Sequence, residues 1–305
     1  MFLRYLFLSL IISFNAFAIK PSDTELKEFD VIRRKSVVNI KCNTASGLGN
    51  RLKKLASYIR YFNPKHVNMY WPNTGWVSSS FYDLFELKLP IKINEINSSY
   101  LIDNFYDKNV LYPYVDEYNL MVVKSDFSNT TPFIINNKFN DIPKEILKIY
   151  VPIFEKIKPS KAVQERIDTV KLPQNTVAIQ IRNAKDWDDM QRNEDISLFF
   201  YHMDKYPSDT VFYLSAMSKD IANYFYNRYS DRIIELPNKN YSSMIDAVAD
   251  MYILGSTNEA IYSYGSTFAE VGWWLNGAKS HVTTVGTSNN WKLKPANFPI
   301  LDKIY

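Results

Sequence analysis

Short apolar runs alternate with amphipathic stretches through the second half of the chain. Apolar runs bounded by turn residues are typical of buried strands, and the stretches between them have the spacing of one helix face. The predicted strands are 176–182, 210–215, 232–236, 259–264 and 281–285, and the predicted helices are 196–205, 218–229, 242–255 and 266–276. Strands and helices in this alternation predict a parallel sheet covered by helices on both faces.

The first half opens with the same pattern. A run rich in β-branched residues at 37–42 predicts a buried strand, and the next strand is predicted at 67–71. Apolar residues recur between these strands at the spacing of one helix face, at Leu52, Leu55, Ile59 and Phe62. Asn63 and Pro64 end that helix. Strand, loop, helix and strand form a βαβ unit. One helical stretch is predicted over 143–167, and Gly255 is predicted to end its helix in the second half.

The chain therefore divides into two α/β halves, 19–170 and 171–305. Residues 1–18 are predicted to be a secretory signal peptide, because Arg4 precedes an apolar run and Ala16-Phe17-Ala18 fits a cleavage site. The apolar run of about 15 residues is shorter than the roughly 20 that span a bilayer. We therefore expect cleavage and export, to a secretory lumen, a periplasm or the medium. An uncleaved signal anchor is the alternative, and only then is a membrane partner expected.

Composition excludes several kinds of protein and site. With 46% hydrophobic and 22% charged residues the chain is an ordinary globular one. The net charge of +4 is mild and the basic residues are dispersed, so no nucleic-acid partner is expected. One cysteine, Cys42, excludes an internal disulfide and a multi-cysteine metal site. The 3 histidines lie far apart in the sequence, so no metal site is expected.

The loop that follows the first predicted strand contains Gly47 and Gly49 and precedes a helix. Glycines there let backbone N–H groups and a helix N-terminus approach an anion. A dinucleotide fingerprint would need a third glycine, where this chain has Leu52, and an acidic residue about 20 positions on, where it has Tyr70 and Trp71. A nicotinamide site is therefore disfavoured. A tight structural turn is the alternative to an anion site.

Arg182 ends a predicted parallel strand, and Asp186 follows on the loop. Arginine binds phosphate with two parallel hydrogen bonds and keeps its charge. Ligands of parallel sheets lie at the carboxyl ends of the strands, which is where Arg182 is predicted. The alternative is a surface pair between Arg182 and Asp186, which would contribute little to stability.

The last candidates lie near the end of the second half. Ser266 and Thr267 open a predicted helix, where hydroxyls and free N–H groups suit an anion. Asp250 is a carboxylate on an otherwise apolar helix and is suited to accept hydrogen bonds from a base edge. The alternatives are an ordinary helix N-cap at Ser266 and a solvated position for Asp250.

Together these motifs resemble the GDP-fucose-dependent fucosyltransferase superfamily, and the protein O-fucosyltransferases in particular. The similar runs are S-G-L-G-N-R at 46–51, R-x-x-x-D-W at 182–187, D-M-Y-I-L-G at 250–255 and G-S-T-F at 265–268. The segment 47–85 also resembles nodulation-type and α-1,6-fucosyltransferases, and 268–276 resembles α-1,2-fucosyltransferases. The resemblance covers 37–87 and 176–277, and the region between matches no family.

The resemblance implies a GT-B fold, in which two Rossmann-like domains face a cleft and the second binds the nucleotide sugar. It implies an inverting, metal-independent glycosyltransferase that moves fucose from GDP-fucose to a protein or oligosaccharide acceptor, without a cofactor. Arg182 would hold the β-phosphate and stabilise its charge as the glycosidic bond breaks. Asn50 would lie near the acceptor and the leaving phosphate. The implied donor-binding residues are Gly47, Gly49, Asp186, Asp250 (to the guanine edge), Ser266, Thr267 and Phe268.

The sequence departs from the family pattern at two positions. Gln180 stands where the family has a histidine, and Asn183 stands where some members have a second arginine. No general base is identified, and the nearby carboxylates are Asp188, Asp189 and Glu194. Candidates for the aromatic lining of the cleft are Trp71, Trp76, Trp187 and Phe268. A non-catalytic sugar- or nucleotide-binding protein of the same fold remains the main alternative, and an NAD-linked oxidoreductase is disfavoured.

Overall fold

The structure is a computed structural model, and it describes residues 36–42, 47–73, 75–95, 139, 144–182, 196–263 and 266–285. Two parallel sheets and one short antiparallel pair lie in these ranges. The predicted fold class, α/β with parallel sheets on two sides of a cleft, is confirmed. The predicted signal peptide, Asp186, Trp187 and the three candidate bases lie outside the described residues, and the domain boundary near residue 170 stays a prediction.

The first sheet confirms the predicted βαβ unit. Its strands are β1 (Val37–Lys41), β2 (His66–Tyr70) and β4 (Lys92–Glu95), and α1 (Leu48–Phe62) joins β1 to β2. β3 (Phe85–Leu87) lies between β2 and β4 in the chain and belongs to another sheet. The strand order is β1-β2-β4 and all pairs are parallel. The predicted apolar positions Leu52 and Leu55 are fully buried. Asn63 ends α1 in the left-handed conformation, and its N–H donates to the Ile59 carbonyl.

The predicted helical stretch over 143–167 is helical at both ends, but a short strand divides it. The segment forms α3 (Lys144–Phe154), β5 (Ile157–Pro159) and α4 (Lys161–Ile167), and β5 pairs antiparallel with β3 (Phe85–Leu87), which follows the short α2 (Phe81–Leu84). The helix ends at Phe154, and residues 157–159 pair with β3 instead of continuing it. Ser160 then begins a new helix as its N-cap, with its hydroxyl accepting from the Val163 N–H at 3.3 Å.

The second sheet has five parallel strands, as the alternation of strands and helices predicts. Its elements are β6 (Thr176–Ile181), α5 (Ile196–Met203), β7 (Val211–Ala216), α6 (Lys219–Tyr229), β8 (Ile233–Ile234), α7 (Met244–Ser256), β9 (Glu259–Ser263), α8 (Thr267–Leu275) and β10 (His281–Val285). The strand order is β10-β9-β6-β7-β8. β8 is shorter than the predicted 232–236. A 3₁₀ turn occupies Ser230–Arg232 at its start, and residues 235–236 lie beyond its end.

Gly255 does not end its helix, since α7 continues to Ser256. A Cβ on Gly255 would collide with the carbonyl of Gly272 on α8, and a Cβ on Gly272 would collide with the carbonyl of Met251 on α7. These two glycines therefore let α7 and α8 pack backbone to backbone. The sequence analysis predicts a helix end at Gly255, whereas the glycine is required by the close contact between the two helices.

Both faces of the second sheet are buried, so β6 is buried along its whole length. One face, with Ile179 and Leu214, packs against α5 and α6. The opposite face, with Ala178 and Tyr213, shares a core with α7, α8 and the first sheet. This shared core places the carboxyl ends of β1, β6 and β7 beside each other. Within the described ranges no helix is long and apolar enough to cross a membrane.

Candidate functional site

A cleft of about 530 Å³ lies at the carboxyl ends of β1, β6 and β7. Both halves contribute to its lining, as a ligand crevice of parallel sheets requires. The predicted site residues that line it are Gly47, Gly49, Asn50, Arg182, Asp250, Thr267 and Phe268. Residues separated by more than two hundred positions in the chain therefore meet at one surface. Ser266 lies next to it, as the N-cap of α8.

The N-termini of α1 and α8 converge at this cleft. A Cβ on Gly49 would collide with the backbone carbonyl of Thr267, so the close approach of the two helices requires glycine there. Gly47, the N-cap of α1, provides no side-chain cap, whereas the Ser266 hydroxyl accepts from the Ala269 N–H at 3.3 Å. The N-cap expected as the alternative for Ser266 is therefore present. Two helix N-termini at one surface favour a bound anion.

A buried ion pair holds these two helices together. Lys53 Nζ of α1 lies 2.7 Å from Glu270 Oε2 of α8, and the two side chains are 6% and 2% exposed. Burial lowers the pKa of Lys53, and the charge of Glu270 opposes that shift. Glu270 Oε1 also accepts from Trp274 Nε1 at 3.3 Å. The pair therefore fixes the geometry of the two helix starts.

Arg182 follows β6 directly and lines the cleft. Its backbone N–H donates to the Ser263 hydroxyl at the end of β9, at 2.7 Å. This bond fixes the backbone from which the guanidinium extends. The cation thus lies at the carboxyl end of the central strand of the sheet, where the helix N-termini also point.

Asp250 is buried at 2% exposure, so the alternative of a solvated position is wrong. Tyr213 donates to its Oδ1 at 2.5 Å, and Ser215 donates to its Oδ2 at 2.8 Å. Lys239 Nζ lies 2.7 Å from Oδ2. A carboxylate offers about four acceptor positions, so about one remains beyond these three contacts, and Asp250 lines the cleft. Acceptance from a base edge stays a prediction for that position.

Lys239 lines the cleft and was not found from the sequence. Its Nζ contacts Asp250, Glu235 Oε1 at 3.5 Å and the Ala216 carbonyl at 3.3 Å. Burial raises the pKa of Glu235, and Lys239 together with the Tyr241 hydroxyl opposes that shift. The only sequence signal was the spacing of four between Glu235 and Lys239, and spacing of that kind is common on protein surfaces.

The aromatic candidates divide between the cleft and the core. Trp76 lines the cleft and is 47% exposed, and Phe268 lines it as well. Trp71 is buried and does not line the cleft, which corrects that prediction. Its indole N–H donates to the Ser79 carbonyl at 3.0 Å, and the Arg51 guanidinium lies 5.1 Å from its ring centre.

The loop 239–243 lines the cleft, and Asp246 holds it in place. Arg166 of α4 donates to Asp246 through Nε at 2.6 Å and through Nη2 at 3.0 Å, and the Asn240 N–H donates to Oδ2 at 2.8 Å. Burial alone would raise the pKa of Asp246, but these hydrogen bonds and the charge of Arg166 lower it overall. A carboxylate with a lowered pKa stabilises the folded state when it is ionised.

We expect Asp246→Asn to lower the free energy of unfolding by about 2 kcal/mol at pH 7, since hydrogen bonds to a charged group are lost. The contribution of Asp246 is present above its unfolded pKa of about 3.9 and is lost as the pH falls through the lower folded value. Urea unfolding measures the difference in free energy of unfolding between the variant and the native chain. This difference should be smaller below pH 4 than at pH 7. A difference that is constant with pH would contradict this account.

The described residues contain no group of three or more His, Cys, Asp or Glu side chains close enough to hold a metal ion. Two buried side-chain oxygens of residues that line the cleft have no hydrogen-bond partner among the residues that the structure describes, Asn50 Oδ1 and Gln180 Oε1. Buried polar atoms are nearly always paired in native proteins. Unpaired ones in a cleft therefore point to a ligand.

Comparison with known proteins finds no match among protein-family models and none among curated protein sequences. Solved structures of similar fold include the NodZ α-1,6-fucosyltransferase co-crystallised with GDP, at 16% identity and a TM-score of 0.48, covering 78% of this chain and 92% of that one. NodZ from Bradyrhizobium gives 15% identity and a TM-score of 0.48, covering 78% and 93%.

Two further structures are similar in the same way. FUT1 of Arabidopsis thaliana, a variant in complex with GDP, is 15% identical with a TM-score of 0.46, covering 87% of this chain and 75% of that one. POFUT1 in complex with GDP-fucose is 11% identical with a TM-score of 0.46, covering 82% and 97%.

Proposed function

We propose that the chain is a glycosyltransferase that moves fucose from GDP-fucose to a hydroxyl of a protein or glycan, with inversion and without a metal ion. The observation that carries this proposal is the convergence of three distant motif segments on one cleft. These segments contain Gly49 and Asn50, Arg182, and Thr267 and Phe268. They are the segments in which the sequence resembles the fucosyltransferases.

The electrostatics of the cleft suit a leaving diphosphate. As the bond between fucose and phosphate breaks, negative charge develops on the β-phosphate oxygens. Arg182 and the N-termini of α1 and α8 offer a fixed cation and oriented N–H groups at that place. Preorganised groups of this kind stabilise the charge without having to reorganise during the reaction. Asn50, on the first turn of α1, lines the same cleft as Arg182.

In the proposed reaction, the acceptor oxygen attacks the anomeric carbon from the face opposite the GDP. A new carbon–oxygen bond forms as the bond to the phosphate breaks, GDP leaves with the electron pair, and the acceptor proton passes to a base. One displacement inverts the configuration. The candidate bases Asp188, Asp189 and Glu194 belong to the segment that follows Arg182.

The proposal is tested by the release of GDP from GDP-fucose, with and without added protein and oligosaccharide acceptors. We expect release of GDP in the presence of a chelator. We also expect the anomeric configuration of the product to be opposite to that of the donor. Thermal stabilisation by NAD and not by GDP would overturn the proposal in favour of an oxidoreductase.

One observation keeps a second function open, namely Gln180 in place of the family's histidine. A non-catalytic protein of this fold would bind GDP-fucose in the same cleft. Binding measured by calorimetry without release of GDP, across varied acceptors, would favour that second function over transfer.

A further inference from the structure

Gln180 is the next-to-last residue of β6, and it lies beside Ser215 of β7 and Tyr262 of β9 in the sheet. Side chains alternate along a strand, so it shares the face of Ala178, which packs toward α7 and α8. The residue is 4% exposed and lines the cleft. The side chain of Gln180 is therefore almost wholly buried, and the residue also borders the ligand space.

Its Oε1 has no hydrogen-bond partner among the described residues. Burying an amide carbonyl without a partner costs free energy, so natural proteins keep such a group where something else pairs with it. Gln180 Oε1 is therefore a buried acceptor to which no described residue donates.

The neighbouring donors on this face are already engaged. Tyr213 and Ser215 both donate to Asp250, and the Tyr262 hydroxyl donates to the Leu254 carbonyl at 3.1 Å. The three protons of Lys239 face Asp250, Glu235 and the Ala216 carbonyl. Pairing Gln180 Oε1 with one of these groups would break another buried hydrogen bond.

A second acceptor of the same kind lines the cleft. Asn50 Oδ1, on the first turn of α1, is also buried, and no described residue donates a hydrogen bond to it. The cleft therefore offers two features at once, groups that attract an anion and carbonyl oxygens that accept from O–H or N–H groups. A ligand that carries both a phosphate and several hydroxyls matches both, and a sugar nucleotide is such a ligand.

We propose that Gln180 is a ligand-binding residue whose Oε1 accepts a hydrogen bond from a sugar hydroxyl of the bound donor. This inference rests on the proposed function, and it gives a role to the position where the family has histidine. The hydroxyl belongs either to the ribose or to the transferred hexose, and the same contact serves in both cases. A neutral amide does not titrate, so this contact is the same across pH 5 to 8, unlike one made by histidine.

The test is Gln180→Met, which removes the carbonyl and keeps the length of the side chain. The ligand-free variant should melt at the temperature of the native chain or above it, because an unpaired buried oxygen is gone. Its affinity for GDP-fucose by calorimetry should fall about tenfold. An unchanged affinity for GDP places the contact on the hexose, and an equal loss for GDP places it on the ribose.

The matched control is Gln164→Met on α4, an exposed glutamine whose amide donates to Asp168 at 2.8 Å. It should bind both ligands as the native chain does. Native affinities for both GDP and GDP-fucose in Gln180→Met would overturn the inference alone. A melting temperature well below the native one would also overturn it, since the carbonyl would then be paired. Failure of the native chain to bind either ligand would overturn the proposed function, and this inference with it.

Discussion

Replacing Arg182 by alanine should lower the affinity for GDP about a hundredfold and slow the release of GDP from GDP-fucose by about 10²–10³-fold. The guanidinium lies at the carboxyl end of β6 and faces the same cleft as the N-termini of α1 and α8. Without it, the charge that develops on the leaving diphosphate would lose the stabilisation that we propose for the guanidinium. The measurements are calorimetric titration with GDP and a continuous assay of GDP release.

The backbone N–H of Arg182 donates to the Ser263 hydroxyl, and alanine keeps this bond, so the end of β6 should hold its position in the variant. Arg182→Lys should be intermediate, since it keeps the charge and loses the two-pronged contact with phosphate. The matched control is Arg228→Ala on α6, where the arginine is 48% exposed and pairs with Asp204 at 2.6 Å. If Arg182→Ala bound GDP as well as the control does, the assignment of Arg182 to the phosphate would be wrong.

Replacing Lys53 by methionine should lower the free energy of unfolding by about 3–5 kcal/mol, because the buried carboxylate of Glu270 would lose the ammonium group that it contacts. The pair joins α1 to α8 at 2.7 Å, and both side chains are almost wholly buried. Denaturant unfolding at pH 7 measures the loss. Because the pair fixes the two helix starts that face the cleft, GDP affinity should fall as well.

The double variant Lys53→Met/Glu270→Gln should recover most of the lost stability, since neither side chain then carries a charge. The glutamine can still accept from the Trp274 indole, which contacts Glu270 Oε1 in the native chain. The control is Lys161→Met, which removes an exposed pair with Glu165 and should change stability by less than about 0.5 kcal/mol. Equal losses in Lys53→Met and Lys161→Met would refute the role of the buried pair.

Much of the fold could be predicted from the sequence, because buried strands and helix faces leave periodic patterns. The strands of the second sheet and α1 with its Asn63 end are the clearest cases. The strand within 143–167 was not predicted, because β5 is short and depends on pairing with β3, more than 60 positions earlier. Gly255 was mispredicted because a glycine required by helix contact looks the same in a sequence as one that ends a helix.

The candidate site was predictable where chemistry is carried by local motifs. Gly49, Arg182 and Thr267 each stand at a strand end or helix start, and the structure brings them together. The partners that hold the site were not predictable, because they are pairs between distant segments. Lys53 and Glu270 are 217 positions apart, and Asp250 on α7 accepts hydrogen bonds from side chains on β7.

We propose that this cleft binds a nucleoside diphosphate through Arg182 and two helix N-termini without a metal ion. Calorimetric titration of GDP into the purified chain, in the presence of a chelator, tests it most directly. The account predicts one GDP bound per chain, with an affinity that falls about a hundredfold in Arg182→Ala. No binding of GDP by the native chain, or binding only after Mg²⁺ is added, would contradict it.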